Sequence, residues 1–133
     1  MNTIRTFGPV IGRICLALIF IFSGFDKIMG FDVTLGYIRS VGLPAAQLSA
    51  IVAIVIELGG GILLVLDWKA RWAAAVLFIF VLFTAIYFHA FWDASPEQAI
   101  MQQIQFMKNL AIMGGMLYVM VYGSGPYSVD RSS

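Results

Sequence analysis

Four long apolar stretches limit most narrowly how this chain can fold. They occupy residues 7–27, 44–66, 70–91 and 96–122, with short segments between them. Each is long enough to cross about 30 Å of hydrocarbon as a helix. Because backbone polar groups find no water at that depth, such segments must be helical, and no two-residue alternation suggests a barrel. The sequence therefore predicts an all-α membrane protein, a four-transmembrane-helix bundle that forms a single domain over 1–133.

The composition agrees with burial in a lipid bilayer. Hydrophobic residues make up 61% of the chain and charged residues only 11%, whereas about a quarter of the residues are charged in a typical soluble domain. The formal net charge of +1 offers no basic face for nucleic acid. A single cysteine excludes an intrachain disulfide, and a single histidine argues against a structural zinc site or a two-histidine haem clamp. We therefore expect neither metal nor haem.

The connecting segments predict how the helices are arranged. Between the first two stretches, apolar residues recur at helical spacing from Phe31 to Val41, which predicts a short amphipathic helix at the membrane interface. The link 67–71 is short, so the second and third helices should form an antiparallel hairpin. An even number of spans puts both termini on one side, and a slight excess of basic residues there favours cytoplasmic termini. Those basic residues are Arg5, Lys69, Arg71 and Arg131.

Glu57 is the most informative polar residue, because it lies in the middle of the second stretch. Its helical face carries mostly small residues, whereas the opposite face carries large branched ones. In a bilayer, small residues mark contacts between helices. A charge at this depth costs roughly 2.5–3.5 kcal/mol, so Glu57 should be protonated, paired with Arg13 of the first helix, or open to a polar cavity. The small face consists of Ala46, Ala50, Ala53, Gly60, Gly61 and Leu64.

Each of the other helices also has one face with polar or ionisable groups. On the predicted topology these groups lie near the outer end of the bundle, with Glu57 below them at the midplane. The simplest assembly is a polar pocket that opens outward and has Glu57 as its floor. The residues around it would be Lys27, His89, Trp92, Gln105, Lys108 and Asn109.

Several of these residues also have a purely structural explanation. A pair between Glu57 and Arg13 would fix the helix register, although intramembrane ionisable groups are functional by default. His89 is equally compatible with a solvated side chain at the interface. The remaining structural explanations are interfacial side chains for Lys27 and Lys108, aromatic belts for Trp68, Trp72 and Trp92, and core packing for Met113, Met116 and Met120.

Five ordered segments together resemble one protein family. They are GRICLALIFIFSGFDKI, IELGGGILLVLDWKAR, FHAFW, FMKNLAIMGG and GSGPYSVD. The set is similar to the DoxX family of small four-helix bacterial inner-membrane proteins. The resemblance implies a multi-pass protein of the bacterial inner (plasma) membrane. Ten residues of this sequence match the motif positions of the family: Arg13, Ser23, Gly24, Lys27, Glu57, Gly60, Arg71, His89, Lys108 and Asn109.

The resemblance also implies a connection with membrane redox chemistry, because the family is named from a subunit of a thiosulfate:quinone oxidoreductase. Together with the predicted pocket, it suggests a redox-associated subunit that binds a quinone-like headgroup or another small polar molecule. Glu57 would accept a proton, His89 would relay one or form a hydrogen bond to the headgroup, and Arg13 and Lys27 would tune the electrostatics. Electrons would need a bound quinone or a redox partner subunit, so we do not expect an independent catalyst. The other predicted binding residues are Trp92, Gln105, Lys108 and Asn109.

Two other functions are open from the sequence. A non-enzymatic scaffold or assembly factor would use the polar groups to hold the bundle or to dock a partner helix. Its docking surfaces would be the interfacial helix and the polar start of the fourth helix. A small proton-linked transporter would need a homo-oligomer, because four short helices do not by themselves form an alternating pathway.

Overall fold

The computed structural model describes residues 2–123, which form five α-helices joined by short segments. Arg131 and nearly all of the segment GSGPYSVD lie outside this described range. No β-strand occurs between residues 2 and 123, so the predicted all-α fold is confirmed. The helices are α1 (Asn2–Met29), α2 (Phe31–Ser40), α3 (Ala46–Leu66), α4 (Ala70–Phe88) and α5 (Pro96–Tyr122), with a 3-10 turn at Phe91–Asp93.

Four segments of the structure are long and apolar enough to cross a membrane. They are α1, α3, α4 with the turn that follows it, and α5. Many of their large apolar side chains lie on the outside of the bundle, among them Val55, Ile62 and Ile79. A soluble monomer rarely exposes so continuous an apolar surface. The chain is therefore an integral membrane protein whose outer surface contacts acyl chains.

The bundle consists of two helix pairs joined by a hairpin. α1 packs along α3, α4 packs along α5, and the α3–α4 hairpin connects the two pairs. A smaller contact between α1 and α5 closes the arrangement. The buried core between the pairs includes Phe20, Leu64, Leu77, Met113 and Met116. The interpretation of Met113 and Met116 as core residues is thus confirmed.

The closest helix contact is the one between α1 and α3. A Cβ atom added to Gly61 would lie 2.7 Å from Ile21 Cγ1, and one added to Gly24 would lie 2.7 Å from Leu58 Cγ. Glycine is therefore what allows the two backbones to approach so closely. Most of the predicted small face of α3 is buried, at Ala46, Ala50, Glu57, Gly61 and Leu64, whereas Ala53 and Gly60 are partly buried.

The predicted short helix between the first two spans is α2. Its apolar residues Leu35 and Ile38 are buried against the start of α3 and against Phe88. The Tyr37 ring also stacks on Phe88, with centroids 5.1 Å apart, and the Tyr37 hydroxyl donates a hydrogen bond to the Phe88 carbonyl at 3.4 Å. The apolar face of α2 is therefore covered by protein. The helix forms a cap over the end of the bundle where α4 stops.

The third span ends earlier than its hydropathy predicts. The sequence predicts a helix to residue 91, whereas α4 ends at Phe88 and His89 has non-helical φ and ψ of −126° and 41°. The chain then forms the 3-10 turn, which places Phe91 edge-on against Phe106 at a centroid distance of 5.5 Å. Contacts of Phe88 with α2 and of Phe91 with α5 compensate for the helical turn that is lost.

Candidate functional site

A cavity of about 750 Å³ lies between the helices, on the side of the bundle that α2 caps. This volume is typical of a site for a small organic ligand. Much of its wall is apolar and includes Phe20, Ile56 and Phe80. The polar side chains on the wall are Ser23, Lys27, Thr34, Tyr37, Ser49, Glu57, Thr84, His89, Gln105 and Asn109.

An ion pair between α1 and α3 forms part of this wall. Lys27 Nζ lies 2.8 Å from Glu57 Oε1, and it also donates a hydrogen bond to Ser23 Oγ at 2.8 Å. The Glu57 side chain is 3% exposed and that of Lys27 is 28% exposed. The ammonium offsets much of the cost of holding a carboxylate at this depth. A ligand in the cavity would meet both charges.

The predicted pair between Glu57 and Arg13 is wrong, because Arg13 pairs with Asp67. Arg13 Nη1 lies 3.4 Å from Asp67 Oδ2, and Arg13 Nε donates a hydrogen bond to the Leu64 carbonyl at 2.7 Å. The physical reason is the offset between the antiparallel helices. With Gly24 beside Leu58, Arg13 reaches the level where α3 ends and cannot reach Glu57.

Asp67 was not foreseen as a partner in the buried network. It is the first residue after α3, it has a positive φ of 54°, and its side chain is fully buried with that of Arg13 almost as buried. Neither residue belongs to the cavity wall. The sequence did contain a signal for this pair. Asp67 directly follows the apolar second span, and Arg13 lies inside the first span near the same membrane side.

The second helix pair supplies the polar groups on the other part of the wall. His89 follows the last residue of α4, and His89 Nδ1 lies 2.9 Å from Gln102 Oε1. In this arrangement Nδ1 is the donor, because an amide oxygen only accepts, and a neutral ring then keeps Nε2 as an acceptor. Gln105 and Asn109 follow on the same side of α5 and line the cavity, as their spacing predicts.

Two predicted binding residues lie outside the cavity wall. Trp92 is 54% exposed, and its ring contacts Phe91 and Phe106 edge-on at centroid distances of 5.3 and 5.5 Å. The sequence places Trp92 just past the predicted helix and near His89, whereas α4 ends at Phe88 and Trp92 lies in the 3-10 turn that follows. Lys108 is exposed on α5, since it is about 100° around the helix from Asn109.

Five of the eight predicted site residues therefore meet at one cavity. The five are Lys27, Glu57, His89, Gln105 and Asn109, and the three outside it are Arg13, Trp92 and Lys108. Tyr37 and Thr84 also line the cavity, although nothing in their local sequence pattern indicated this.

The cavity reaches the protein surface between α3 and α4. Leu48 and Val52 on α3, and Ile79 and Phe83 on α4, line the cavity and are also exposed. The sequence predicts a polar pocket open to the outer aqueous side. The structure has a largely apolar cavity, with exposed apolar residues of α3 and α4 on its wall, and α2 supplies Tyr37 to the wall. The predicted opening to the aqueous side stays a prediction.

Comparison with known proteins assigns the family. The family model for DoxX matches residues 8–90, which is more than half of the chain. The chain belongs to the DoxX family. Among its DoxX-type relatives, inner membrane protein YphA of Escherichia coli K12 is 44% identical over 98% of this chain and 99% of its own length. Inner membrane protein YqjF of the same organism is 33% identical over 98% of this chain and 95% of its own length.

The DoxX match runs from α1 to just past the end of α4. It contains both ion pairs and His89, whereas Gln105 and Asn109 of α5 lie beyond it. Surfeit locus protein 4 homolog of Schizosaccharomyces pombe is 31% identical over 52% of this chain and 24% of its own length. No solved structure matches this DoxX chain.

Proposed function

We propose that this DoxX-family protein is a redox-associated membrane subunit that binds a quinone-like headgroup in the cavity. The observation that carries the proposal is the Lys27–Glu57 ion pair, with its carboxylate buried and its ammonium half-buried, on the wall of a largely apolar cavity of about 750 Å³. A quinone has a flat apolar ring and two carbonyl oxygens that accept hydrogen bonds. The cavity offers Phe20 and Phe80 for contact with such a ring, and donors for the oxygens.

Lys27 and Glu57 would serve one carbonyl oxygen of the headgroup. An ammonium has three protons. Lys27 donates one to Ser23 Oγ, and its Nζ forms an ion pair with Glu57 Oε1 at 2.8 Å. The protons that Ser23 does not accept would serve Glu57 and a ligand oxygen. Glu57 would take up the proton when a bound hydroquinone is oxidised and return it on reduction. Electrons would pass to or from a redox partner subunit.

The α4–α5 groups would serve the second oxygen. His89, Gln105 and Asn109 line the same cavity as the ion pair but come from the other helix pair. A headgroup with polar atoms on opposite edges would therefore contact both helix pairs at once. His89, held by Gln102 at 2.9 Å, would exchange the second proton through its other ring nitrogen.

We also place the protein in the bacterial inner membrane, with both termini in the cytoplasm. The location is supported by two relatives that are named as inner membrane proteins and that align over nearly their whole length. The orientation is supported by the slight excess of basic residues on the terminal side. In that orientation the capped, cavity-bearing end of the bundle faces outward.

The test is to measure quinone that co-purifies with the protein. Unmodified protein, Glu57→Gln and the matched control Asp67→Asn would be purified in mild detergent, and extracted quinone per protein measured by mass spectrometry. Asp67 is the other buried carboxylate and lies off the cavity wall. We expect Glu57→Gln to retain about tenfold less quinone, and the control to match the unmodified protein.

Two results would contradict the proposal: no quinone with any of the three proteins, or equal amounts with all of them. The competing function is a membrane scaffold, which the exposed polar start of α5 would serve through Glu97, Gln98 and Gln103. A stoichiometric partner that survives Glu57→Gln, in preparations without quinone, would favour the scaffold.

A further inference from the structure

We infer, on the basis of the function proposed above, that the ligand carries a long apolar tail. Its headgroup would lie at Lys27 and Glu57, and its tail would leave the cavity sideways, between α3 and α4, into the bilayer. The ligand class is therefore a prenyl-type lipid that enters from the hydrocarbon, and not a water-soluble headgroup that enters from the aqueous side.

The first observation is that several apolar residues of α3 and α4 both line the cavity and are exposed on the outer surface. Leu48, Val52, Ile79 and Phe83 line the cavity, yet they are 62%, 46%, 66% and 43% exposed. A residue that is both on the cavity wall and on the outer surface marks a place where the two are continuous. All four side chains are apolar, so the opening leads to hydrocarbon.

The second observation is that the opening has defined limits along the helices. Toward the α3–α4 turn, Gly60 and Leu77 close the gap, since a Cβ atom on Gly60 would lie 2.9 Å from Leu77 Cγ. Toward α2, the stack of Tyr37 on Phe88 closes it. The exposed wall residues Ile79 and Phe83 lie between these two contacts along α4.

The arrangement of polar and apolar groups matches an amphiphile. The charged groups on the cavity wall are Lys27 and Glu57, whereas the exposed wall residues of α3 and α4 are apolar. Besides Glu57, only the hydroxyls of Ser49 and Thr84 interrupt the apolar lining of these two helices. Contact of a tail with this lining would add to binding in proportion to the apolar area covered. A phospholipid acyl chain could occupy the same groove, so the experiment must distinguish it from the ligand's own tail.

Val52→Trp and Ile79→Trp would narrow the opening from either side. Val55→Trp is the matched control, because Val55 is on the same helix, is 64% exposed, and does not line the cavity. Each protein would be incubated in detergent with one benzoquinone headgroup, either with a prenyl tail or without a tail. Quinone retained per protein after gel filtration would then be measured by mass spectrometry.

We expect Val52→Trp and Ile79→Trp to retain about tenfold less of the tailed quinone and as much of the tail-less one as the unmodified protein. Val55→Trp should change neither. Equal retention of the tailed quinone by all variants would overturn the lateral route while leaving headgroup binding intact, which is the result expected if the groove holds phospholipid and not the tail of the ligand. An equal loss of both quinones would also overturn it. Failure of the unmodified protein to bind either quinone would remove the proposed function together with the inference.

Discussion

Within residues 2–123, two ion pairs connect α1 to the end and to the middle of α3, and they differ in their surroundings. Arg13 and Asp67 are 3.4 Å apart, with side chains 5% and 0% exposed, and Arg13 also holds the Leu64 carbonyl. Lys27 and Glu57 are 2.8 Å apart, and Lys27 keeps 28% of its surface exposed on the cavity wall. One pair is sealed in protein and the other faces a space that a ligand can enter.

The difference separates a structural pair from a functional one. A guanidinium stays protonated and binds in a fixed fork, whereas an ammonium is a point charge that can exchange partners and protons. The sealed pair uses the arginine, and the pair on the cavity uses the lysine. Substitutions in the sealed pair should therefore cost stability, and those in the cavity pair should cost ligand binding more than stability.

The largest expected effect is that of Arg13→Leu on stability. It removes the ion pair with the fully buried Asp67 and the donor to the Leu64 carbonyl, at a cost of about 3–5 kcal/mol. Unfolding in detergent, followed by circular dichroism, would measure it. The double variant Arg13→Leu/Asp67→Asn should recover part of the loss. If the double variant is no more stable than the single one, burial of the Asp67 carboxylate without Arg13 is not the cause of the lost stability.

Glu57→Gln should destabilise the protein less, by about 1.5–3 kcal/mol, the range for a hydrogen bond to a charged group. Lys27 keeps its bond to Ser23 Oγ and can be solvated from the cavity. The same unfolding assay applies, beside the quinone measurement. A loss of stability larger than that of Arg13→Leu would erase the distinction between the two pairs.

Gly61→Ala tests the packing that holds both pairs in place. The added Cβ would lie 2.7 Å from Ile21 Cγ1 and 3.2 Å from the Ala17 carbonyl oxygen, and overpacking of this kind costs about 1–3 kcal/mol. Gly59→Ala is the control, because a Cβ there meets nothing within 4 Å. The unfolding transition of Gly61→Ala should move to lower denaturant while that of Gly59→Ala does not. Equal stability of the two variants would mean that the α1–α3 contact is not tight.

The smallest expected effect is that of Ser23→Ala, which removes the hydroxyl that accepts from Lys27 and leaves the ion pair of Lys27 with Glu57. The expected loss is about 0.5–1.5 kcal/mol, the usual net value of a hydrogen bond. Ser23→Thr keeps the hydroxyl and serves as the control. Ser23→Ala should weaken quinone retention slightly and leave the Arg13–Asp67 ion pair unchanged. A loss as large as that of Glu57→Gln would show that the serine, and not the carboxylate, holds the lysine.

The parts of the fold that depend on local pattern could be predicted from the sequence. Hydropathy and length define the four spans, and the distribution of small residues around α3 shows that Glu57 faces protein. The spacing of Gln105 and Asn109 places them on one face of α5, which lines the cavity. Each of these features is set within a single helix.

The partner of Glu57 could not be predicted, because it depends on how far α1 slides along α3. A helical face gives direction around the axis but not depth along it. The depth is fixed where Gly24 meets Leu58 and Gly61 meets Ile21, which are contacts between distant parts of the chain. Trp92 was misplaced for a related reason, since the end of α4 is set by contacts of Phe88 with α2.

The close contact of Gly60 with Leu77 has a consequence for how the protein samples its membrane. It shuts the groove between α3 and α4 toward their turn, so the two halves of the bilayer are not equivalent. A lipid in the monolayer beside α2 could enter the groove, whereas a lipid in the opposite monolayer would meet the closed contact between α3 and α4. The rate at which the ligand crosses between the monolayers would then limit the fraction of it that can reach the cavity.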